Sequence, residues 1–164
     1  MAERYGLRQG WSLDLTEVDE NGDPWDLSLP ERQNKVLDII DRDKPGIVIV
    51  CPPCGPFSSW QYINYKIMSD EAITKRLEAG IAHLAFAALI CRKQATEGRH
   101  YLFEHPATAT SWSTRVMKSV TSIDGNFTVD FDFCMAGMKS KDERGTGAAK
   151  KRTRLATNCK EVAE

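Results

Sequence analysis

The run Val48-Ile49-Val50-Cys51-Pro52-Pro53-Cys54-Gly55-Pro56-Phe57-Ser58 constrains the chain more than any other segment, because it ends an apolar strand on two prolines and then offers a thiol. Ile47 to Val50 are all β-branched and read as a central strand covered on both faces, the pattern of a parallel sheet rather than of a half-exposed hairpin. Pro52 and Pro53 have a fixed φ and no N–H, so they cannot continue the ladder. Cys54 is therefore expected on a rigid turn at the carboxyl edge of the sheet, where open α/β sheets keep their active sites.

Elements on either side alternate. Gly10 to Leu15 reads as a short strand carrying Asp14, followed by a polar loop from Thr16 to Pro24. Leu29 to Asp43 reads as a helix entered through Ser28 and Pro30, with Val36, Leu37, Ile39 and Ile40 as its apolar positions, and Lys44-Pro45-Gly46 stops it. A second helix starts at Ser69, whose hydroxyl can cap it, with Asp70 and Glu71 against the positive end of the dipole. Ile73, Leu77, Ile81, Leu84 and Ala88 recur along it at steps of three or four, and Gly98 can close it. Strands are expected at Arg99 to Phe103, Thr128 to Phe133 and Thr153 to Thr157.

The chain has 164 residues, which fits one domain over 1–164 with a sizeable core, and 41% hydrophobic with 27% charged residues is ordinary for a globular protein. The net charge of -1 gives no overall field that would draw it to nucleic acid, so any such affinity must be local. One stretch qualifies. From Lys139 to Lys160 there are eight Lys or Arg against Asp142 and Glu143, a formal +6. The apolar runs are too short to span a membrane and the first residues are no secretory signal, so an intracellular location is expected.

The five cysteines form an odd set without the density of a disulfide-stapled domain, and reduced thiols are expected. Cys51 and Cys54 make a C-x-x-C pair. That invites a thiol–disulfide oxidoreductase or half a zinc site, but the surrounding prolines resist the helix that a redox pair usually opens. No second C-x-x-C or C-x-x-H supplies the remaining zinc ligands, and His100 and His105 stand at no metal-binding spacing, so no metal is expected.

Pro-Pro-Cys followed by Pro-Phe-Ser after one residue resembles the catalytic motif of the cytosine-C5 DNA methyltransferases, with Gly55 where that family usually has Gln. Two further segments are similar to the family in order along the chain. Tyr101-Leu102-Phe103-Glu104 resembles its Glu-Asn-Val strand end, with His105-Pro106 replacing Asn-Val, and Lys150-Lys151-Arg152-Thr153-Arg154 resembles its Gln-x-Arg-x-Arg motif. The resemblance implies an α/β fold with a Rossmann-like methyltransferase core, a mostly parallel sheet flanked by helices. It implies Cys54 as the nucleophile that adds to C6 of a flipped cytosine and Glu104 as the acid at N3. Arg154 would hold the base carbonyl, Arg152 would support the catalytic loop or a phosphate, and Ser58, Lys150 and Lys151 would contact nucleic acid. Duplex DNA is the implied partner.

The same resemblance implies S-adenosylmethionine as methyl donor, with Asp14 on the ribose, Asp26 on the adenine amine, Trp25 over the adenine face and Pro53 beside the cofactor. The family's first strand and its Phe-x-Gly-x-Gly loop have no counterpart before Gly10, nor is there a target-recognition domain. The expectation is an N-terminally truncated member whose cofactor site is completed by a missing segment or a partner chain. The Pro-Pro-Cys and Glu-His-Pro segments are also similar to methyltransferase-like domains of mobile-element polyproteins, which points to a reduced relative. A non-catalytic nucleic-acid-binding or scaffold domain on the same fold is the alternative.

Overall fold

The computed structural model describes residues 6, 8, 10–143 and 145–164, and its contacts divide the chain into two units, 1–45 and 46–164.

In the first unit the helix α1 spans Pro30–Asp43, with proline at its first turn and Val36 and Ile40 buried. Leu29 precedes it without a side-chain cap, so Ser28 does not serve as the cap. Ser28 instead gives its N–H and hydroxyl to Asp26 Oδ1. The polar loop is fastened by Asp19, whose carboxylate accepts from Arg32 at 2.5 Å and Lys35 at 2.9 Å. The expected strand at Gly10 to Leu15 is not formed: these residues are irregular, and Trp11 and Leu15 are exposed. A strand needs a neighbour for its backbone groups, and among the described residues of this unit one bridge forms, from Val18 to Pro24.

The second unit is a mixed α/β arrangement. In chain order it comprises β1 (Ile47–Val50), α2 (Gln61–Tyr65), α3 (Asp70–Thr96), β2 (His100–Pro106), α4 (Arg115–Thr121), β3 (Phe127–Asp132), β4 (Lys139–Asp142), β5 (Gly145–Ala148), β6 (Arg152–Thr157) and α5 (Lys160–Ala163). Four strands form one sheet in the order β1-β2-β6-β3, and β4 and β5 form a separate hairpin. In this sheet β1 and β2 are the one parallel-paired couple; β6 runs antiparallel to both β2 and β3, so β3 points the same way as β1 and β2. The mostly parallel sheet expected from the sequence is thus corrected to a mixed one. β1 lies at its edge, and Ile49 is 62% exposed. A run of β-branched residues reports a strand, but not how many of its faces are covered.

α3 carries the capping bond foreseen, from the Ala72 N–H to Ser69 Oγ at 3.3 Å. Its core face differs by one position from the expected stripe: Gly80 and Leu84 are buried, whereas Ile81 is exposed. Phe57 lies against Gly80 and takes the space. Leu84, Cys91, Tyr101, Phe103, Met117 and Val120 are all fully buried and form the centre of the core between the sheet and helices α3 and α4. Among the described residues no helix is long and apolar enough to cross a membrane.

Candidate functional site

The registers define one edge of the sheet. Val50 pairs with Phe103, Pro106 with Thr153, and Arg152 with Asp132. The chain leaving β1, the end of β2, the end of β3 and the start of β6 therefore share one side, the carboxyl edge of the parallel pair. Cys54, Glu104 and the basic cluster Lys150 to Arg154 all belong to it.

Cys54 sits at the head of a 3-10 turn, Gly55–Phe57, with φ -83° and ψ -12°. The Phe57 N–H donates to Cys54 O at 3.0 Å, the Tyr65 hydroxyl to Pro56 O at 2.8 Å, and the Thr110 hydroxyl to Phe57 O at 3.3 Å. Phe57 is buried against α3, where a Cβ on Gly80 would come within 3.0 Å of its ring and of Pro56 Cβ. The thiol is half-buried on a backbone held from three sides. Pro53 beside it is exposed, and Ser58 Oγ accepts the Trp60 N–H at 3.3 Å. Arg76 brings its Nη2 to 3.8 Å from the Cβ position of Gly55, a cation next to the turn that no sequence motif marks.

His105 fixes this turn to β2. Its ring is fully buried, with Nε2 at 3.2 Å from Pro52 O and Nδ1 at 2.6 Å from Ser111 Oγ. A carbonyl oxygen only accepts, so the proton resides on Nε2, and neutral Nδ1 accepts from the Ser111 hydroxyl. Burial holds the imidazole below its usual pKa of 6.5, against the raising effect of the Pro52 carbonyl and of Glu104. In the sequence His105 is marked only by its place after Glu104, where the resembled family has Asn, and that pattern carries no sign of the bond to Pro52.

Glu104 points to the opposite face of β2 from His105. It accepts a hydrogen bond from the Thr153 hydroxyl and lies 3.6 Å from Lys151 Nζ. Cys51, the first residue beyond β1, belongs to the same neighbourhood. Burial raises its thiol pKa and the Glu104 charge raises it further, with Lys151 opposing.

The two arginines are not brought to Glu104. Arg154 pairs with His105 in the register and so occupies the helix-covered face. It donates to Asp130 at 2.6 and 3.0 Å and stacks over Trp112 at 5.5 Å. The hydrogen bonds to Asp130 raise its pKa, and those from Arg154 hold Asp130 below the usual carboxylate range. Arg152 alternates onto the same face and lies 3.6 Å from Asp130. Thr153, between them, is the residue that meets Glu104. Lys150 is exposed, 3.8 Å from Asp132.

Of the residues implied for the cofactor, Asp14, Asp26 and Trp25 lie in the first unit and are otherwise engaged, whereas Pro53 lies in the second, beside Cys54. Asp14 Oδ1 accepts the Thr16 N–H and hydroxyl at 3.1 and 2.8 Å, which lowers its pKa. Asp26 Oδ1 accepts from Ser28 in the same way. Trp25 is 6% exposed, with the Arg32 guanidinium 5.8 Å from its ring centre. Asp26 does line a shallow groove, but the groove's other residues include Asp23, Glu31, Arg32 and Lys35, and Trp25 is not among them. A ring-sized apolar slot is what an adenine face requires, and these residues do not fit S-adenosylmethionine as they are folded.

Among the described residues, no group of three or more His, Cys, Asp or Glu side chains could hold a metal ion. Compared with family models, with curated proteins and with solved structures, the chain matches none of them.

Proposed function

We propose that the second unit is a DNA-directed, cytosine-C5 methyltransferase-like domain, with Cys54 as nucleophile and Glu104 as the acid at N3. The observation that supports it most is the coupling of two segments far apart in sequence: the hydrogen bond from His105 holds the thiol-bearing turn to the strand that presents Glu104 on the carboxyl edge. In this reading the Cys54 thiolate forms a bond to C6 of a flipped cytosine. The C5–C6 π pair moves onto C5 and the ring as N3 takes a proton from Glu104, whose orientation is fixed by the Thr153 hydroxyl. Cys suits the role because it is nucleophilic near neutral pH and departs readily in the reverse step.

A non-catalytic nucleic-acid-binding domain is the second reading. The burial of Trp25 and the engagement of Asp14 and Asp26 in turns favour it.

Two assays separate the readings. Addition to C6 makes C5 exchange its hydrogen with solvent, so incubation of cytosine-containing duplex DNA in D2O without cofactor should introduce deuterium at C5 with the native protein and not with Cys54→Ala. Duplex DNA carrying 5-fluorocytosine, with S-adenosylmethionine, tests methyl transfer separately, because a denaturation-resistant adduct through Cys54 forms only where a methyl group reaches C5. Exchange without an adduct limits the domain to addition; absence of both, with DNA binding retained, leaves the non-catalytic reading.

A further inference from the structure

The hairpin β4–β5 was not foreseen from the sequence, and its place in the fold gives it a use. Backbone hydrogen bonds tie its base to the carboxyl edge between β3 and β6: the Phe133 N–H donates to Lys151 O and the Ala149 N–H to Met138 O, next to the Lys139–Ala148 pair. The hairpin therefore extends from the same edge that carries Cys54 and Glu104. It packs into no core, since Lys139, Ser140, Lys141 and all of Gly145–Ala148 are exposed. An isolated two-stranded ribbon is at best marginally stable in water.

Lys139 and Lys141 lie two residues apart and so project from one face, beside Ala148 and Thr146, which are small. Ser140 and Gly147 make up the reverse face at that register. Among the described residues neither lysine makes an ion pair, whereas Lys150, Lys151 and Arg152 at the ribbon's base lie near Asp132, Glu104 and Asp130. Residues two apart on a strand are separated by about 6.8 Å, which equals two base-pair rises of about 3.4 Å. A two-stranded ribbon also fits the major groove, which is about 12 Å wide.

The geometry points to the β4–β5 ribbon as a docking arm for duplex DNA, with Lys139 and Lys141 on backbone phosphates next to the Cys54 edge. This rests on the reading of DNA as partner, but not on any methyl transfer. Trp60 and Met135, 76% and 81% exposed, belong to the loops leaving β1 and β3 at that edge and offer apolar surface beside the charge.

The test is fluorescence anisotropy of the full chain with a labelled duplex of about 20 base pairs over a salt series, comparing the native protein, Lys139→Ala/Lys141→Ala, Lys139→Glu/Lys141→Glu and Lys160→Glu. Lys160 follows β6 at the opposite edge of the sheet and serves as the control. The slope of log affinity against log salt should fall by about two in the double alanine variant. The double glutamate variant should bind at least roughly tenfold more weakly near 0.1 M salt, with Lys160→Glu unchanged. Because both substituted side chains are exposed, unchanged thermal unfolding is expected and shows that the fold is intact. Equal slopes in native and double variants, no duplex binding by the native protein, or binding to single strands or RNA alone would each overturn the proposal. Deuterium exchange at C5 with unaltered slopes removes the arm and keeps the chemistry; altered slopes without exchange or adduct do the reverse.

Discussion

His105 and Pro52, 53 residues apart in the chain, are joined by a hydrogen bond from Nε2 to the carbonyl oxygen at 3.2 Å, so one buried imidazole connects the thiol-bearing turn to β2. Ser111 completes the arrangement at 2.6 Å on Nδ1. Phe57, Phe103 and Trp112 surround the ring, which is fully buried.

Replacing His105 by Leu removes the donor to Pro52 and leaves the Ser111 hydroxyl without its acceptor. The cost expected from unpaired buried polar groups is about 1–3 kcal/mol, read as a fall in the urea midpoint. The released turn should also let iodoacetamide alkylate Cys54 faster. Ser111→Ala should retain the Pro52 bond and show the smaller effect on alkylation.

The pH dependence follows from the lowered pKa of His105. Its folded value lies below the unfolded 6.5, so the unfolded chain takes up the proton first. The contribution is full above 6.5 and is lost as pH falls through that value towards the folded one. Thermal unfolding between pH 8 and pH 5.5 should show a decline that His105→Leu lacks.

Asp19 gives a second, more acidic dependence. Hydrogen bonds from Lys35 and Arg32 hold its carboxyl far below its usual 3.8. A depressed carboxylate stabilises above the unfolded pKa and ceases to do so as pH falls through the folded one. Protection of α1 amides from hydrogen exchange should therefore weaken below about pH 4, and Asp19→Asn should show weaker protection already at neutral pH.

Gly80→Ala would place a methyl 3.0 Å from the Phe57 ring and Pro56 Cβ. The gain in helix propensity, about 1 kcal/mol, is set against an overpacking cost of about 1–3 kcal/mol, because neither neighbour can swing aside. Net destabilisation in urea and faster Cys54 alkylation are expected; a more stable variant would contradict the packing described.

Thiol labelling distinguishes the five cysteines. Cys91 is fully buried and its pKa is pushed up to about 12 by burial, and Cys159 is also buried. Brief iodoacetamide treatment of the native protein should modify Cys51, Cys54 and Cys134 only, as read by peptide mass spectrometry. All five should react in denaturant.

By itself the sequence determined what rests on local chemistry. The periodicity of Leu77, Leu84 and Ala88 and the cap at Ser69 placed α3, alternation placed β3 and β6, and three prolines placed Cys54 on a turn. It also showed that Arg152 and Arg154 alternate with Thr153, because strand side chains repeat every two residues. What only the tertiary structure decided was pairing. The insertion of β6 between β2 and β3, the edge position of β1 and the ribbon at the carboxyl edge depend on hydrogen bonds between distant segments, which no local pattern encodes. Register then chose the faces: Thr153 rather than either arginine meets Glu104, and His105 turns inward to hold Pro52. A shift of one residue in that pairing would exchange the two faces, which is why the same alternation, read without its partner strands, left the composition of the site undecided.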